Sequence, residues 1–278
     1  MPTPQSYELP RFDGNSQRPH VMGILNVTPD SFSDGGRHSE APAALEHARE
    51  MIAEGADILD LGGESTRPGS EPVPLEVEWS RIEPILDQVI AMGTPVSIDT
   101  YKAEIARRAC RAGAVIVNDV WGLQKDPAMA DVVAEAGTHV VMMHNRLAAD
   151  ASIDILADID HFFETSMSLA DKAGIPREKQ ILDPGFGFGK TIDQNFVILN
   201  RFETLKKHGL PLLAGASRKR MVGAVLQAEM EDRLYGSVAV HLTAMLKGAA
   251  IVRAHDVRPH ADCARMLEAT RLERNPTA

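Results

Sequence analysis

Short apolar runs rich in branched side chains recur along the chain at Val21–Val27, Ile58–Leu61, Val96–Ile98, Val115–Val117, Val140–Met143, Ile181–Leu182, Leu212–Ala216 and Ala249–Val252. Between them apolar residues fall at three- and four-residue spacings, as in Ile82, Ile85, Leu86 and Val89, or Leu234, Val238, Leu242 and Met245. The first pattern predicts strands buried on both faces, the second helices with one apolar side. Strands alternating with such helices make a parallel sheet, and eight units over about 250 residues match a closed barrel. An open doubly wound sheet shares the alternation and stays as the alternative. No linker or low-complexity segment divides the chain. The expectation is a single-domain (β/α)8 TIM barrel over residues 21–270, with 1–20 capping its bottom and 271–278 a frayed tail.

Polar residues follow almost every run: Asn26; Glu64, Thr66 and Arg67; Asp99; Asn118 and Asp119; His144 and Asn145; Asp183; Ser217, Arg218 and Lys219; Arg253 and His255. In a barrel all of these converge on one mouth, where active sites are built. Asp99 with Thr100, or Ser217, has a plainer reading as a helix cap. Arg, Lys and His are poor caps, so a composite polar site explains the whole set better.

The chain has 278 residues, 29 basic and 39 acidic side chains, a net charge of −10 and 44% hydrophobic residues. This describes an ordinary soluble globular protein, and the acidic balance argues against nucleic acid or an anionic membrane as partner. A few Lys and Arg still suffice to make one pocket positive. Met1–His20 lacks the apolar core of a secretory signal, and no run of about 18 apolar residues is present to span a membrane. Two unclustered cysteines, Cys110 and Cys263, suit a reducing compartment, so a cytoplasmic location is expected.

Gly185-Phe186-Gly187-Phe188-Gly189-Lys190-Thr191 invites a nucleotide-binding reading. A Walker loop needs glycine where Pro184 stands, and a dinucleotide fingerprint needs one where Lys190 stands. Neither motif is present.

Four segments are far more specific: Gly23–Gly36 (GILNVTPDSFSDGG), Asp60–Gly69 (DLGGESTRPG), Leu182–Lys190 (LDPGFGFGK) and Gly215–Lys219 (GASRK). In this order and spacing they closely resemble dihydropteroate synthase, and the resemblance runs from about Val21 to Val257. It implies a barrel enzyme, usually a homodimer, that joins a pterin methyl pyrophosphate to p-aminobenzoate and releases pyrophosphate. The other partners are those small molecules alone.

A pterin is a flat ring with a donor–acceptor edge, which carboxylates and amides can pair. Asp99, Asn118, Asp183 and Lys219 are such groups, and the family uses matching positions for the pterin. Arg253 resembles the family's guanidinium that stacks on the ring. Arg67, Arg253 and His255 are candidates for pyrophosphate, and Mg2+ is implied, with Asn26 at the family's ligand position and Asp34 as a weaker second. For p-aminobenzoate the contacts implied are Ser217 at the carboxylate, with Phe32, Thr66, Pro68 and Phe188 around the ring. Met143 is expected in the pocket wall, His144 as a satisfied core or edge histidine, and Arg218 either in solvent or on the carboxylate. Three rivals remain on the residues: a methyltetrahydrofolate methyltransferase type of barrel, a pterin-binding subunit without activity, and a Schiff-base aldolase using Lys219.

Overall fold

The structure, a computed structural model, describes residues 18–28, 37–65 and 70–276. Eight parallel strands close into a barrel in chain order: β1 (His20–Asn26), β2 (Ile58–Gly62), β3 (Val96–Asp99), β4 (Ile116–Asp119), β5 (His139–Met143), β6 (Gln180–Asp183), β7 (Leu212–Ala214) and β8 (Ala249–Ala254). The barrel is sealed by β8 on β1, with His20 beside Ile251 and Met22 beside Arg253. That pairing excludes the open sheet, whose outer strands would keep unpaired edges.

Around the strands lie α1 (Arg37–Glu54), α2 (Leu75–Ile90), α3 (Ala103–Ala112), α4 (Met129–Ala136), α5 (Ile155–Ala173), α6 (Ile192–Asn200), α7 (Arg220–Leu226), α8 (Leu234–Leu246) and α9 (Val257–Leu272). Local chemistry sets several ends. Asp154 caps α5 by accepting from the N–H groups of Leu156 and Ala157 at 3.0 and 3.2 Å. Thr191 and Gln194 form a reciprocal capping box on α6. Among the described residues no helix is long and apolar enough to cross a membrane.

Helix α2 buries Ile82, Ile85, Leu86 and Val89, as their spacing predicts. In α8 the face differs: Ser237, Val240, His241, Ala244 and Met245 are buried, while Leu234, Val238 and Leu242 are only half-buried. This helix is apolar on several sides, so spacing alone cannot select its inner face. His241 does so by accepting the Ala216 N–H at 2.9 Å. At the C-terminus α9 continues through Leu272, two residues into the expected tail, and Arg271 there donates to the Met245 carbonyl at 3.0 Å. Of the expected N-terminal cap only residues 18–20 are described, and Arg18 pairs with Asp57 just ahead of β2.

The pleat positions the site. Met22, Ile58, Ile116, Val141, Ile181, Leu213 and Ile251 form one buried cluster, which fills the barrel's interior. A separate, larger cluster that includes Leu25, Leu59, Leu61, Ile98, Val117 and Leu182 lies between strands and helices. Side chains two apart on a strand share a face. One step above the interior cluster therefore stand Asp60, Asn118, Met143, Asp183, Gly215 and Arg253, and Asp99 stands above buried Ser97.

Candidate active site at the barrel mouth

Asp60 is fully buried and collects two donors on Oδ2, Asn118 Nδ2 at 3.0 Å and Arg253 Nε at 2.6 Å. Arg253 Nη2 reaches across to Asp99 Oδ2 at 2.7 Å. A single guanidinium thus bridges two carboxylates by its edge. The remaining oxygens, Asp60 Oδ1 and Asp99 Oδ1, are buried without a hydrogen-bond partner among the described residues. Burial above all, opposed by Arg253 and reinforced by Asp60, pushes the Asp99 carboxyl up to about 7. An unsatisfied buried acceptor costs about 1–3 kcal/mol, a deficit that a flat ligand with N–H donors would remove.

Across the mouth, Asp183 is buried and its Oδ1 accepts from Gly185 N at 2.7 Å. Burial raises its carboxyl and Lys219 opposes that rise. The Lys219 ammonium donates to the Phe186 carbonyl and stands 4.4 Å from the centre of the Phe188 ring. Burial pulls it down to about 7 against the attraction of Asp183. Gly215 lies between the two halves, where a Cβ would stand 3.7 Å from Asp183 Oδ2 and 3.8 Å from Arg253 Cβ, in ordinary contact with both. Met143 is buried and in register with Asp183.

Ser217 and His255 meet each other, the hydroxyl lying 3.2 Å from the His255 backbone nitrogen and 3.1 Å from its Nδ1. Arg218, whose direction the residues leave open, pairs with Asp256 at 2.5 and 2.9 Å. The capping reading fails for Asp99, which faces the interior, and for Ser217, since α7 has no side-chain cap, whereas the Thr100 hydroxyl accepts the Lys102 N–H at 3.2 Å just ahead of α3. Asp119 points the other way and binds the N–H groups of Trp121 and Leu123 at 2.9 and 2.7 Å. Glu64 also leaves the set, tied to Lys102 and to the Tyr101 hydroxyl at 2.8 Å. His144 is a satisfied buried histidine beside Asp158 at 3.0 Å, and burial chiefly pulls it down to about 3, which keeps it neutral. Phe32, Asp34, Thr66, Arg67 and Pro68 lie outside the described residues. Asp60 is the group sequence reasoning missed. Its signal was present, because Ile58-Leu59-Asp60 repeats the apolar–apolar–acid pattern of Ile181-Leu182-Asp183.

Asn26 ends β1 at the rim of the mouth. A Cβ on Gly62 would fall 3.5 Å from Asn26 Oδ1 and 3.4 Å from Asp99 Cβ, so this glycine keeps the space between them open. Among the described residues no group of three His, Cys, Asp or Glu is arranged to hold a metal. One neutral amide oxygen fits Mg2+ arriving with its waters and shared with a substrate's phosphates, rather than a metal held by the protein alone.

A (β/α)8 barrel with this mouth is the architecture of a pterin-binding enzyme, and the profile described as "Pterin binding enzyme" matches residues 22–255. The dihydropteroate synthase of Bacillus subtilis is 46% identical over 250 residues, covering 90% of this chain and 87% of that one. The Xanthomonas albilineans dihydropteroate synthase solved with 4-aminobenzoic acid superposes with a TM-score of 0.88 at 44% identity, covering 91% of this chain and 93% of that one. Its complex with 7,8-dihydropteroate gives 0.85 at 41% identity, covering 94% and 98%. The chain belongs to the dihydropteroate synthase family. Membership sets aside the methyltransferase and aldolase readings.

Proposed function

We propose that the chain joins 6-hydroxymethyl-7,8-dihydropterin pyrophosphate to p-aminobenzoate, giving 7,8-dihydropteroate and pyrophosphate. The observation that carries this reading is the ring of strand-end groups, Asp60, Asp99, Asn118, Asp183 and Lys219, with two buried carboxylate oxygens that find no donor among the described residues. The N–H groups of an aminopyrimidine edge supply such donors, at about 1.5–3 kcal/mol per charge-assisted bond. Asn118 and Lys219 offer N–H groups to the ring's acceptors, and Arg253, held by its edge, presents a flat cation for stacking.

With the ring seated, Arg67, Arg253 and His255 are the groups that take the charge of pyrophosphate. The carbon–oxygen bond to pyrophosphate breaks, and the electron-rich pterin holds the cation left on the methylene carbon. The negative charge of Asp99 and Asp183 lowers the energy of that cation. The p-aminobenzoate nitrogen, placed by Ser217, Phe188, Thr66, Pro68 and Phe32, attacks the same carbon and then loses a proton to solvent. Catalysis is electrostatic and positional, and losing one preorganised donor in such sites lowers kcat by about 10²–10³. Asn26, with Asp34 as second candidate, would hold Mg2+, which when bound spreads the negative charge of the leaving group.

The reading makes two direct demands. Asp183→Asn preserves shape but loses the charge, so a pterin ligand should bind about 10–150-fold more weakly, the equivalent of one charge-assisted bond. Calorimetry measures this, and unchanged affinity in a folded variant removes the pocket assignment. Excess chelator should abolish turnover, and Asn26→Ala should raise the Mg2+ needed for half-maximal rate at least about tenfold, the low end even for groups that only support a metal ligand. Full rate in chelator contradicts the ion's role. An unchanged requirement in Asn26→Ala contradicts only the ligand.

A cytoplasmic homodimer completes the proposal. Exposed Val225, Leu226, Tyr235 and Leu246, on α7 and α8, support a self-association face. Two free thiols support a reducing compartment.

A further inference from the structure

The loop Gly185–Gly189 turns on three glycines in the left-handed region, with φ of +68° at Gly185, +82° at Gly187 and +58° at Gly189. A Cβ would come within 2.0 Å of the His144 carbonyl oxygen at Gly185 and 2.4 Å of Arg146 Cβ at Gly189. The loop is therefore wound against the segment that follows β5, a path only glycine permits. Behind it lies Lys190, 8% exposed, whose ammonium donates to Gly185 O at 2.8 Å, Phe188 O at 3.0 Å and His144 Nδ1 at 2.8 Å. All three N–H groups have acceptors. An ammonium has no lone pair, so His144 Nδ1 accepts and its Nε2 carries the proton, which it donates to Asp158 Oδ2 at 3.0 Å. Arg146 grips the same carboxylate at 2.8 and 2.9 Å. Burial pulls the Lys190 ammonium down, and the carboxylates of Asp183 and Asp158 oppose this.

The loop's other face meets the mouth. Gly185 N donates to Asp183 Oδ1 at 2.7 Å, the Phe186 carbonyl accepts from Lys219, and the Phe188 ring lies 4.4 Å from the same ammonium. Two lysines thus hold one loop from opposite sides.

We propose that Lys190, itself held by His144 and Asp158, is a positioning residue for pterin binding: it fixes the Gly185–Gly189 loop in the shape that lets Phe186 and Phe188 place the Lys219 ammonium at the mouth. Lys190 is buried behind the loop and acts on the ligand only through Lys219. The inference rests on the pterin reading above, and a loop of this sequence serves a purpose here that neither phosphate-binding motif required.

The test is a pterin titration, run to millimolar ligand, on the parent protein, Lys190→Met, Lys219→Met and the double variant. Methionine keeps the stem of Lys190 but takes the ammonium donor from the Phe188 carbonyl and one of two donors from the Gly185 carbonyl, which still accepts the Phe188 N–H at 3.1 Å. Lys190→Met should weaken binding about tenfold or more in the parent and less than about twofold in the Lys219→Met background, the signature of two residues acting through one contact. A general loss of stability would weaken both backgrounds equally. Equal losses, or unchanged affinity in a folded Lys190→Met, would overturn the proposal. A parent protein that binds no pterin would instead overturn the functional reading. Should Lys190→Met fail to fold, Asp158→Asn, which keeps shape but removes the charge that anchors His144, is compared in the same two backgrounds with the same deciding outcomes.

Discussion

Replacing Asp60 by alanine is expected to destabilise the folded protein by about 3 kcal/mol and to remove pterin binding. The side chain is fully buried, and its Oδ2 holds both Asn118 Nδ2 at 3.0 Å and Arg253 Nε at 2.6 Å. Alanine leaves that guanidinium with one carboxylate, Asp99, and strands the Asn118 amide. Removing one partner of a buried ion pair typically costs about 3–5 kcal/mol. The low end applies because the Arg253 side chain is 19% exposed and water screens part of the loss. Binding suffers separately, since Arg253 and Asn118 both lose the group that aims them. Urea denaturation and pterin calorimetry read the two effects. Asp60→Asn, which keeps an oxygen acceptor of the same shape, should lose less stability than alanine. A variant Asp60→Ala as stable as the parent would mean that Asp99 alone satisfies Arg253.

Lys219→Met is expected to move stability and activity in opposite directions. Turnover should fall about 10²–10³-fold, as for the loss of one preorganised donor. Stability at pH 7 should rise, because a desolvated ammonium gives way to an apolar side chain of similar length. The pH dependence fixes the sign. An unfolded lysine keeps its proton to about 10.4, whereas burial pulls Lys219 down to about 7 in the folded protein. Between those values the unfolded chain binds the extra proton, so the contribution of Lys219 is most favourable above about 10.4 and declines as pH falls to about 7. Denaturation curves across this range should show the slope in the parent and lose it in Lys219→Met. An identical slope in both proteins would mean that Lys219 keeps an ordinary lysine pKa and that its burial is well compensated.

The strands were legible because a strand covered on both faces must be apolar throughout, and each branched run of the sequence overlaps one strand of the barrel, with Val27, Val115 and Gly215–Ala216 falling just outside. Their polar ends were legible for the same reason: Asp99, Asn118, Asp183 and Arg253 interrupt runs that packing would keep apolar. What sequence order hides is which ends meet. Asp60 and Arg253 are 193 residues apart, yet β2 and β8 both flank β1, and their side chains hydrogen-bond. Asp60 itself was passed over because it sits inside a strand, where only the two-residue pleat, not position after a run, marks it as facing the mouth. The resemblance assigns Ser217 and His255 to different substrates. In the fold they bind each other, a pairing set by the neighbouring ends of β7 and β8. The inner face of α8 was hidden by apolar residues on its other sides, and a buried histidine rather than leucine spacing selects it.

Release of pyrophosphate tests the central claim most directly, followed with a coupled phosphate assay on the purified protein in the presence of Mg2+. The mouth described above requires both substrates: pyrophosphate should appear, together with 7,8-dihydropteroate in equal amount, only when the pterin pyrophosphate and p-aminobenzoate are both present. No release with both substrates and Mg2+ supplied, or release without formation of dihydropteroate, would contradict the account.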